Sequence, residues 1–310
     1  MNESINGYEL IGEFRTDNSG SARWGFAEKD GQELFIKEFL SPTYPADEDV
    51  LPPKMVERRK KLCEKYVISK TKLYDALNKC STGNVVGILD FFRYGAKYYI
   101  VTEKIDSIPL NIEDIAAMPT EQKHLICKII IHCVKSLHAH QIVHCDIKHE
   151  NILFKKTLMG KYVAKLIDFD ASFIEDEPPA PDDEFHGDMV YYAPESVKYM
   201  LNETDHIDSK IDVFALGLLF HQYFTGHLPY FDTKEYDYAY EAVLDGNFLK
   251  SDKDVPEKYA KVIDAMLSAD PQIRLSSGEV FELFDRMTDN NAEQDNSVHA
   301  HNGFFYAGDL

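Results

Sequence analysis

The stretch H-C-D-I-K-H-E-N, His144 to Asn151, followed by L-I-D-F-D, Leu166 to Asp170, decides how this chain is read. It sets an acid (Asp146), an ammonium (Lys148), an amide (Asn151) and a second acid (Asp168) at spacings that suit transfer of a phosphoryl group from a metal-bound nucleotide. In that chemistry Asp146 orients or deprotonates a hydroxyl, and Lys148 neutralises charge on the moving phosphoryl. Asn151 and Asp168 hold magnesium. Taken singly each signal is weak, because Asp and Asn in loops are turn formers more often than ligands.

Length and composition fit a compact enzyme. With 310 residues, 44% hydrophobic and 28% charged, the chain can bury one large or two medium cores. A formal net charge of -20 argues against a nucleic-acid partner, which calls for a basic stripe. Acidity favours basic protein substrates, although it is also an ordinary route to solubility. The five cysteines, Cys63, Cys80, Cys127, Cys133 and Cys145, are odd in number and without a C-x-x-C pair. They read as reduced thiols with no zinc site, and so as a cytoplasmic chain. No leader is read at the N-terminus and no apolar run approaches the roughly 18 residues of a membrane span. The greasiest stretch, Leu125 to Leu137, is broken by Lys128, His132 and Lys135 and reads as a core helix.

The first third is strand-rich. Tyr8 to Phe14, Ala22 to Glu28 and Glu33 to Phe39 are β-like runs separated by turn signals at Asn18 to Gly20 and Asp30 to Gly31, which predicts a three-stranded meander. A Pro-rich loop leads to a charged helix from about Lys54 to Lys79, with Leu62, Tyr66, Leu73 and Leu77 on one face. Strands Val85 to Arg93 and Tyr98 to Lys104 follow, joined at Gly95. From Pro119 the pattern turns helical, and residues 288–310 read as a flexible tail ending in G-F-F-Y-A-G-D-L.

This order of parts, with H-x-D-x-x-x-x-N, resembles the eukaryotic-type protein kinases over residues 8–286. Further signposts fall in sequence: A-P-E at Ala193 to Glu195, D-V-F-A-L-G at Asp212 to Gly217, G-H-L-P-Y at Gly226 to Tyr230 and D-P-Q-I-R at Asp270 to Arg274. The run Phe35 to Pro45 is also similar to one in bacterial members. The resemblance implies an α+β, two-lobed protein kinase-like fold. An N-lobe over residues 8–102, with a small antiparallel sheet and one main helix, joins a hinge at 103–106 and a mostly helical C-lobe at 107–286. It also implies that Glu195 pairs with Arg274 and that Asp212 caps the back of the catalytic loop.

Residue roles follow position by position. The resemblance gives Lys37 the grip on the α and β phosphates of ATP, with Glu64, or Glu57, as its partner on the helix. Thr102 falls at the gatekeeper position. Glu103 to Ile105 would pair with adenine and Asp106 with ribose, and Gly12, Gly20 and Ala22 would belong to the phosphate loop. Asp146 and Lys148 would be catalytic; Asn151 and Asp168 would bind Mg2+. Lys148 stands where Ser/Thr kinases carry lysine, which implies a protein substrate with a Ser/Thr acceptor.

The departures carry information too. The glycine-rich loop keeps only Gly12 and Gly20. Ala22 replaces the usual valine and Phe35 the usual alanine, a small residue facing a large one that would conserve pocket volume. Cys145 replaces the arginine that binds a phosphorylated activation loop, and between Asp170 and Tyr191 the only serine or threonine is Ser172. Activity without loop phosphorylation is therefore expected. Asp170 replaces a glycine, restricting φ and holding the metal loop near one form. Asp188 replaces a threonine and brings an extra carboxylate, expected to raise a pKa or alter acceptor choice. Two other classes stay open. A small-molecule phosphotransferase usually lacks the A-P-E segment and the Lys148 equivalent, while a pseudokinase scaffold has no need of the complete set. Oligomeric state is not legible.

Overall fold

The structure, a computed structural model, describes residues 3–16, 22–46, 51–80, 83–181 and 187–292, with side chains described as far as residue 287. The chain divides into two compact units, residues 1–81 with 86–106, and residues 82–85 with 107–310.

The first unit is a six-stranded antiparallel sheet and one long helix. Its strands are β1 (Ser4–Ile5), β2 (Tyr8–Arg15), β3 (Ala22–Lys29), β4 (Gln32–Phe39), β5 (Ile88–Tyr94) and β6 (Lys97–Glu103), in the order β1-β2-β3-β4-β6-β5. The three-strand meander expected from the sequence is thus the middle of a larger sheet. Asp30 and Gly31 both take positive φ, +54° and +79°, which matches the twist a two-residue hairpin needs between β3 and β4. Alternation then sorts the side chains. One face buries Leu10, Ala27, Leu34, Ile36, Tyr99 and Val101. The other carries Phe35, Lys37 and Phe39.

Helix α1 (Pro53–Lys79) covers this second face: Tyr66 meets Phe39 and Tyr98 at 5.9 and 5.3 Å, and Tyr74 meets Phe91 at 5.2 Å. Its buried residues are Cys63, Leu73, Tyr74 and Leu77, whereas Leu62, expected on the apolar face, is 54% exposed. The buried stripe runs through Cys63, its neighbour at 1% exposure, and leaves Leu62 at the margin of the covered face.

The second unit is mainly helical. Its elements are α2 (Ile112–Ala116), α3 (Thr120–Ala139), β7 (Ile142–Val143), β8 (Ile152–Lys156), β9 (Tyr162–Leu166), β10 (Phe173–Ile174), α4 (Pro194–Met200), α5 (Lys210–Thr225), α6 (Ala239–Leu244), α7 (Glu257–Met266) and α8 (Ser277–Ala292). Helix α5 is buried almost all round, and α3 packs against α5, α8 and β9. The sequence pattern showed no signal for α2, which a capping box starts: Asn111 Oδ1 accepts from Asp114 N (2.7 Å) and Asp114 Oδ2 from Asn111 N (3.2 Å). Two short antiparallel pairs, β7 with β10 and β8 with β9, frame the polar loops. Val85, expected in a strand of the sheet, instead bridges Leu166 in this unit.

A buried ion pair ties α4 to the far end of the chain. The Arg274 guanidinium forks onto Glu195, Nη2 donating to Oε2 at 3.0 Å, while Nε donates to Ser268 O (2.9 Å) and Nη1 also to Lys210 O (2.8 Å). The expected pairing of these residues is present, and the carbonyl partners are what make a fully buried guanidinium tolerable. Among the described residues, no helix is long and apolar enough to cross a membrane.

His124 on α3 gives this core a pH sensitivity. The ring is 8% exposed and lies against Tyr259 and Phe284, and burial pulls its pKa from the usual 6.5 down to about 4. The folded chain therefore holds the ring neutral, while the unfolded chain protonates it first. Stability is untouched above the unfolded value and falls, by about 3 kcal/mol in all, as pH drops from 6.5 towards 4. His124→Phe should flatten that loss, which urea midpoints at about pH 7 and about pH 4.5 will read.

Candidate active site

The acidic loop of the second unit is built on a strained turn. Cys145 holds φ +68°, a left-handed conformation that costs a residue with a Cβ roughly 1–2 kcal/mol. The turn aims two successive amides at one carboxylate: Asp212 Oδ2 accepts from His144 N at 2.8 Å and Oδ1 from Cys145 N at 2.9 Å. Asp212 is 1% exposed, and His138 Nε2 meets its Oδ2 at 2.9 Å. Hydrogen bonds to a buried charge are worth about 1.5–3 kcal/mol each, enough to hold the turn against its strain. The expected placement of Asp212 behind this loop is observed. The His138 contact, and the bond from His138 Nδ1 to Ser277 Oγ at 2.8 Å, were not anticipated.

This turn presents Asp146. Its Oδ2 accepts from Asn151 Nδ2 at 2.8 Å and lies 3.0 Å from Lys148 Nζ, and its Oδ1 accepts from Asp188 N at 3.0 Å. A carboxylate offers about four lone-pair directions, so three are occupied and one, on Oδ1, remains open. Asn151 spends both amide hydrogens on Asp146, the second on its carbonyl at 2.7 Å. That leaves Asn151 Oδ1 as a neutral oxygen donor.

Asp168 follows β9 at φ +64°, with Asp170 N donating to its Oδ1 at 3.4 Å. The adjoining Phe169 is buried, its ring 4.9 Å from that of His144. His144 is wholly buried and its tautomer is set from both sides. Nε2 donates to Ile167 O (3.1 Å), so Nδ1 is free to accept from Asp146 N (3.3 Å). The ring thereby joins the 144–146 turn to the 166–170 segment. Asp170 does not share the positive φ, so a non-glycine residue is accommodated there without strain. An oxygen-only donor pair, one carboxylate and one amide carbonyl, suits a hard cation such as Mg2+, which binds few protein ligands and completes its shell with water and phosphate.

Asp188 has a different task from the one its sequence position suggested. Its Oδ1 accepts from Val190 N (3.0 Å), capping the turn Met189–Tyr191, and its Oδ2 lies 3.9 Å from Lys148 Nζ. The ammonium thus stands beside both carboxylates, and it is the main chain of Asp188 that touches Asp146. Ser172 is 6% exposed and donates to His144 O at 2.9 Å, so the one loop hydroxyl of serine or threonine type supports the catalytic turn. Cys145 lies among Asp146, Asp188 and Tyr192. Burial first, and then the charges of Asp212 and Asp146, push its thiol pKa well up, so it offers neither cation nor thiolate.

In the first unit, Lys37 is 5% exposed, opposite Trp24 on β3 and Ile100 on β6. The expected pairing with Glu64 or Glu57 is not formed. Both glutamates are exposed, and Glu57 bonds Lys61 at 2.9 Å. The reason is phase: the buried stripe of α1 passes through Cys63, so Glu64, one residue on, is turned roughly 100° away. The supposed compensation of Ala22 by Phe35 also fails on register. Ala22 opposes Phe39, while Phe35 opposes Phe26 and stacks on Trp24 at 5.8 Å. Trp24, whose ring packs on Phe35 beside Lys37, was not anticipated there. The period-2 run W-x-F on β3, set against F-x-K on β4, was the signal available.

Thr102 is buried opposite Phe35, Glu103 ends β6 opposite Leu34, and Ile105 and Asp106 lie beyond the ladder. Ala22 begins β3, and Gly12 sits at φ +84° where the β2–β3 register shifts. Gly20 lies outside the described residues, as do residues 182–186 and 293–310; of the tail expected over 288–310, residues 288–292 instead continue helix α8.

The family described as protein kinase domain matches residues 46–283. Serine/threonine-protein kinase PSK2 of Saccharomyces cerevisiae is 32% identical over 222 residues, covering 69% of this chain and 18% of that protein. Serine/threonine-protein kinase TIO of Arabidopsis thaliana is 26% identical over 203 residues, 65% of this chain and 14% of the relative. Serine/threonine-protein kinase RAD53 of S. cerevisiae is 23% identical over 222 residues, 67% and 27%. The chain spans under a third of the length of each of these relatives.

Asp212→Asn should test the turn. An amide can present only one oxygen to two convergent N–H groups and sets its own NH2 against the other. Amide hydrogen exchange at His144 and Cys145 should accelerate by about ten-fold or more, and stability should fall by about 1–3 kcal/mol.

Proposed function

Because this chain belongs to the protein kinase family, we propose that it is an ATP-dependent Ser/Thr protein kinase that transfers the γ-phosphoryl group to a protein hydroxyl. The observation carrying the proposal is the Asp146 carboxylate, fixed by Asn151, Lys148 and the Asp188 amide with one lone pair unspent. A hydroxyl donating to that position is held for in-line attack; its proton passes to Asp146 as the new P–O bond forms, and the bond from the γ-phosphorus to the β,γ-bridging oxygen breaks, ADP leaving with that electron pair. Lys148 stays beside the carboxylate and neutralises charge that builds on the phosphoryl oxygens. Asn151 Oδ1 and Asp168 would hold Mg2+, which when bound screens the negative charge of the nucleotide phosphates.

In the first unit, Lys37 is assigned to the phosphates and Glu103, Ile105 and Asp106 to the nucleoside, with Gly12, Gly20 and Ala22 at the phosphate loop. This assignment rests on the family resemblance and on the burial of Lys37. Glu64 is withdrawn from the set. We also place activity independent of loop phosphorylation within the proposal, supported by the uncharged Cys145 and the buried Ser172. Five free thiols support a cytoplasmic setting, though the reading does not depend on it. Retention of the A-P-E segment and its buried Arg274 partner favours a protein acceptor over a small molecule.

Incubation with Mg2+ and γ-labelled ATP, with and without a generic basic protein, should label protein serine or threonine. Asp146→Asn should lower kcat by about 10²–10⁴-fold, and Asp168→Asn should abolish labelling. Label confined to a small acceptor, or no turnover by the wild type, would replace the proposal with a phosphotransferase or a scaffold. Phosphatase treatment beforehand should leave the rate unchanged. A loss traced to a phosphate on the 170–191 segment would refute phosphorylation-independence alone.

A further inference from the structure

The β8–β9 hairpin carries chemistry that phosphoryl transfer leaves unused. From Ile152 to Ile167 there is no acidic residue and there are four lysines, Lys155, Lys156, Lys161 and Lys165, in a chain of formal net charge -20. At the apex Leu158 is 109% exposed and Met159 73% exposed, so the first stands wholly and the second largely in solvent. The turn beneath them is well defined. Thr157 N donates to Lys161 O at 2.8 Å, Gly160 N to Thr157 O at 2.9 Å and Lys161 N to Thr157 Oγ1 at 3.1 Å.

Pairing explains why the apex stands clear. Ile152, Phe154, Ala164 and Leu166 are buried on the inner face, anchoring the base of the hairpin, while Lys155, Lys156 and Lys161 are exposed nearer the tip. Two large apolar side chains at a convex tip, with cations behind them on both strands, repeat the order met along a bilayer normal: acyl chains, then headgroup phosphates. An acidic protein surface would satisfy the lysines but does not account for the apolar pair ahead of them.

We infer that this hairpin is a docking element for an anionic lipid surface, with Leu158 and Met159 entering the acyl boundary and the lysines meeting headgroup phosphates. The inference does not depend on the catalytic reading. Attachment through so few groups is reversible, and because its charge contacts are made by solvent-exposed lysines it should weaken with salt.

Sedimentation of the full chain with phosphatidylcholine vesicles, with and without phosphatidylserine, tests it. Binding is expected only to the phosphatidylserine vesicles. It should drop about five-fold for each of Lys155→Gln, Lys156→Gln and Lys161→Gln, and at least about ten-fold for Leu158→Asp combined with Met159→Asp. Urea midpoints of the variants within error of the wild type will show that the fold is kept. Absence of binding to phosphatidylserine vesicles overturns the inference, as does binding that survives the apex substitutions. Lysine-dependent retention on immobilised polyglutamate with no vesicle binding would also overturn it, in favour of an acidic protein partner.

Discussion

The Asp212 carboxylate is the constraint on which the rest of the site depends. It lies in the first turn of a helix that is apolar almost all round, where a buried charge is costly unless fully bonded. Two main-chain amides and the His138 ring supply those bonds, and in doing so fix the strained turn at Cys145. Every functional distance in the second unit follows from that turn. Asp146 is aimed by it, Asn151 and Lys148 close on Asp146, and the His144 ring transmits its position to the segment bearing Asp168. Strain at the loop is held by a charge behind it, so neither feature is stable without the other.

The polar groups around Asp146 form a satisfied network with one vacancy. Such a network stiffens a site because each member restricts its neighbours, while a single open lone pair gives direction to an arriving hydroxyl. The Asp188 substitution fits this scheme without adding an uncompensated charge: its side chain caps a turn, its amide bonds Asp146, and Lys148 stands beside both acids. Cys145 and Ser172 point the same way. Where a regulated loop would place a cation and an accessible hydroxyl, this chain has a protonated thiol and a hydroxyl already committed to the main chain.

In the first unit, alternation on β3, β4 and β6 was legible because a pleated sheet sorts residues by parity, and the strand limits deviate by only a residue or two. That Lys37 shares a face with Phe35 and Phe39 follows from parity alone; that α1 covers this face does not. The acidic partner of Lys37 did not follow either. A glutamate within a charged helix says nothing of its rotational phase until the buried stripe is known, and that stripe is set by which of Cys63, Tyr66, Leu73 and Tyr74 finds an aromatic partner on the sheet. The register of Ala22 against Phe39 is likewise a property of the ladder; it depends on the tight turn at Asp30 and Gly31.

The sequence by itself determined the order of elements, the close grouping of Asp146, Lys148 and Asn151, and the Glu195–Arg274 tie, because these depend on residue type at fixed spacing. Only the tertiary structure decided that Asp188 contributes its amide, that His144 and His138 wire the loop to its surroundings, that Glu64 turns outward, and that the β8–β9 apex stands exposed. Those outcomes depend on which groups residues tens of positions apart bring within hydrogen-bonding reach, and on what each buried polar atom must find there. Local pattern carries no record of either.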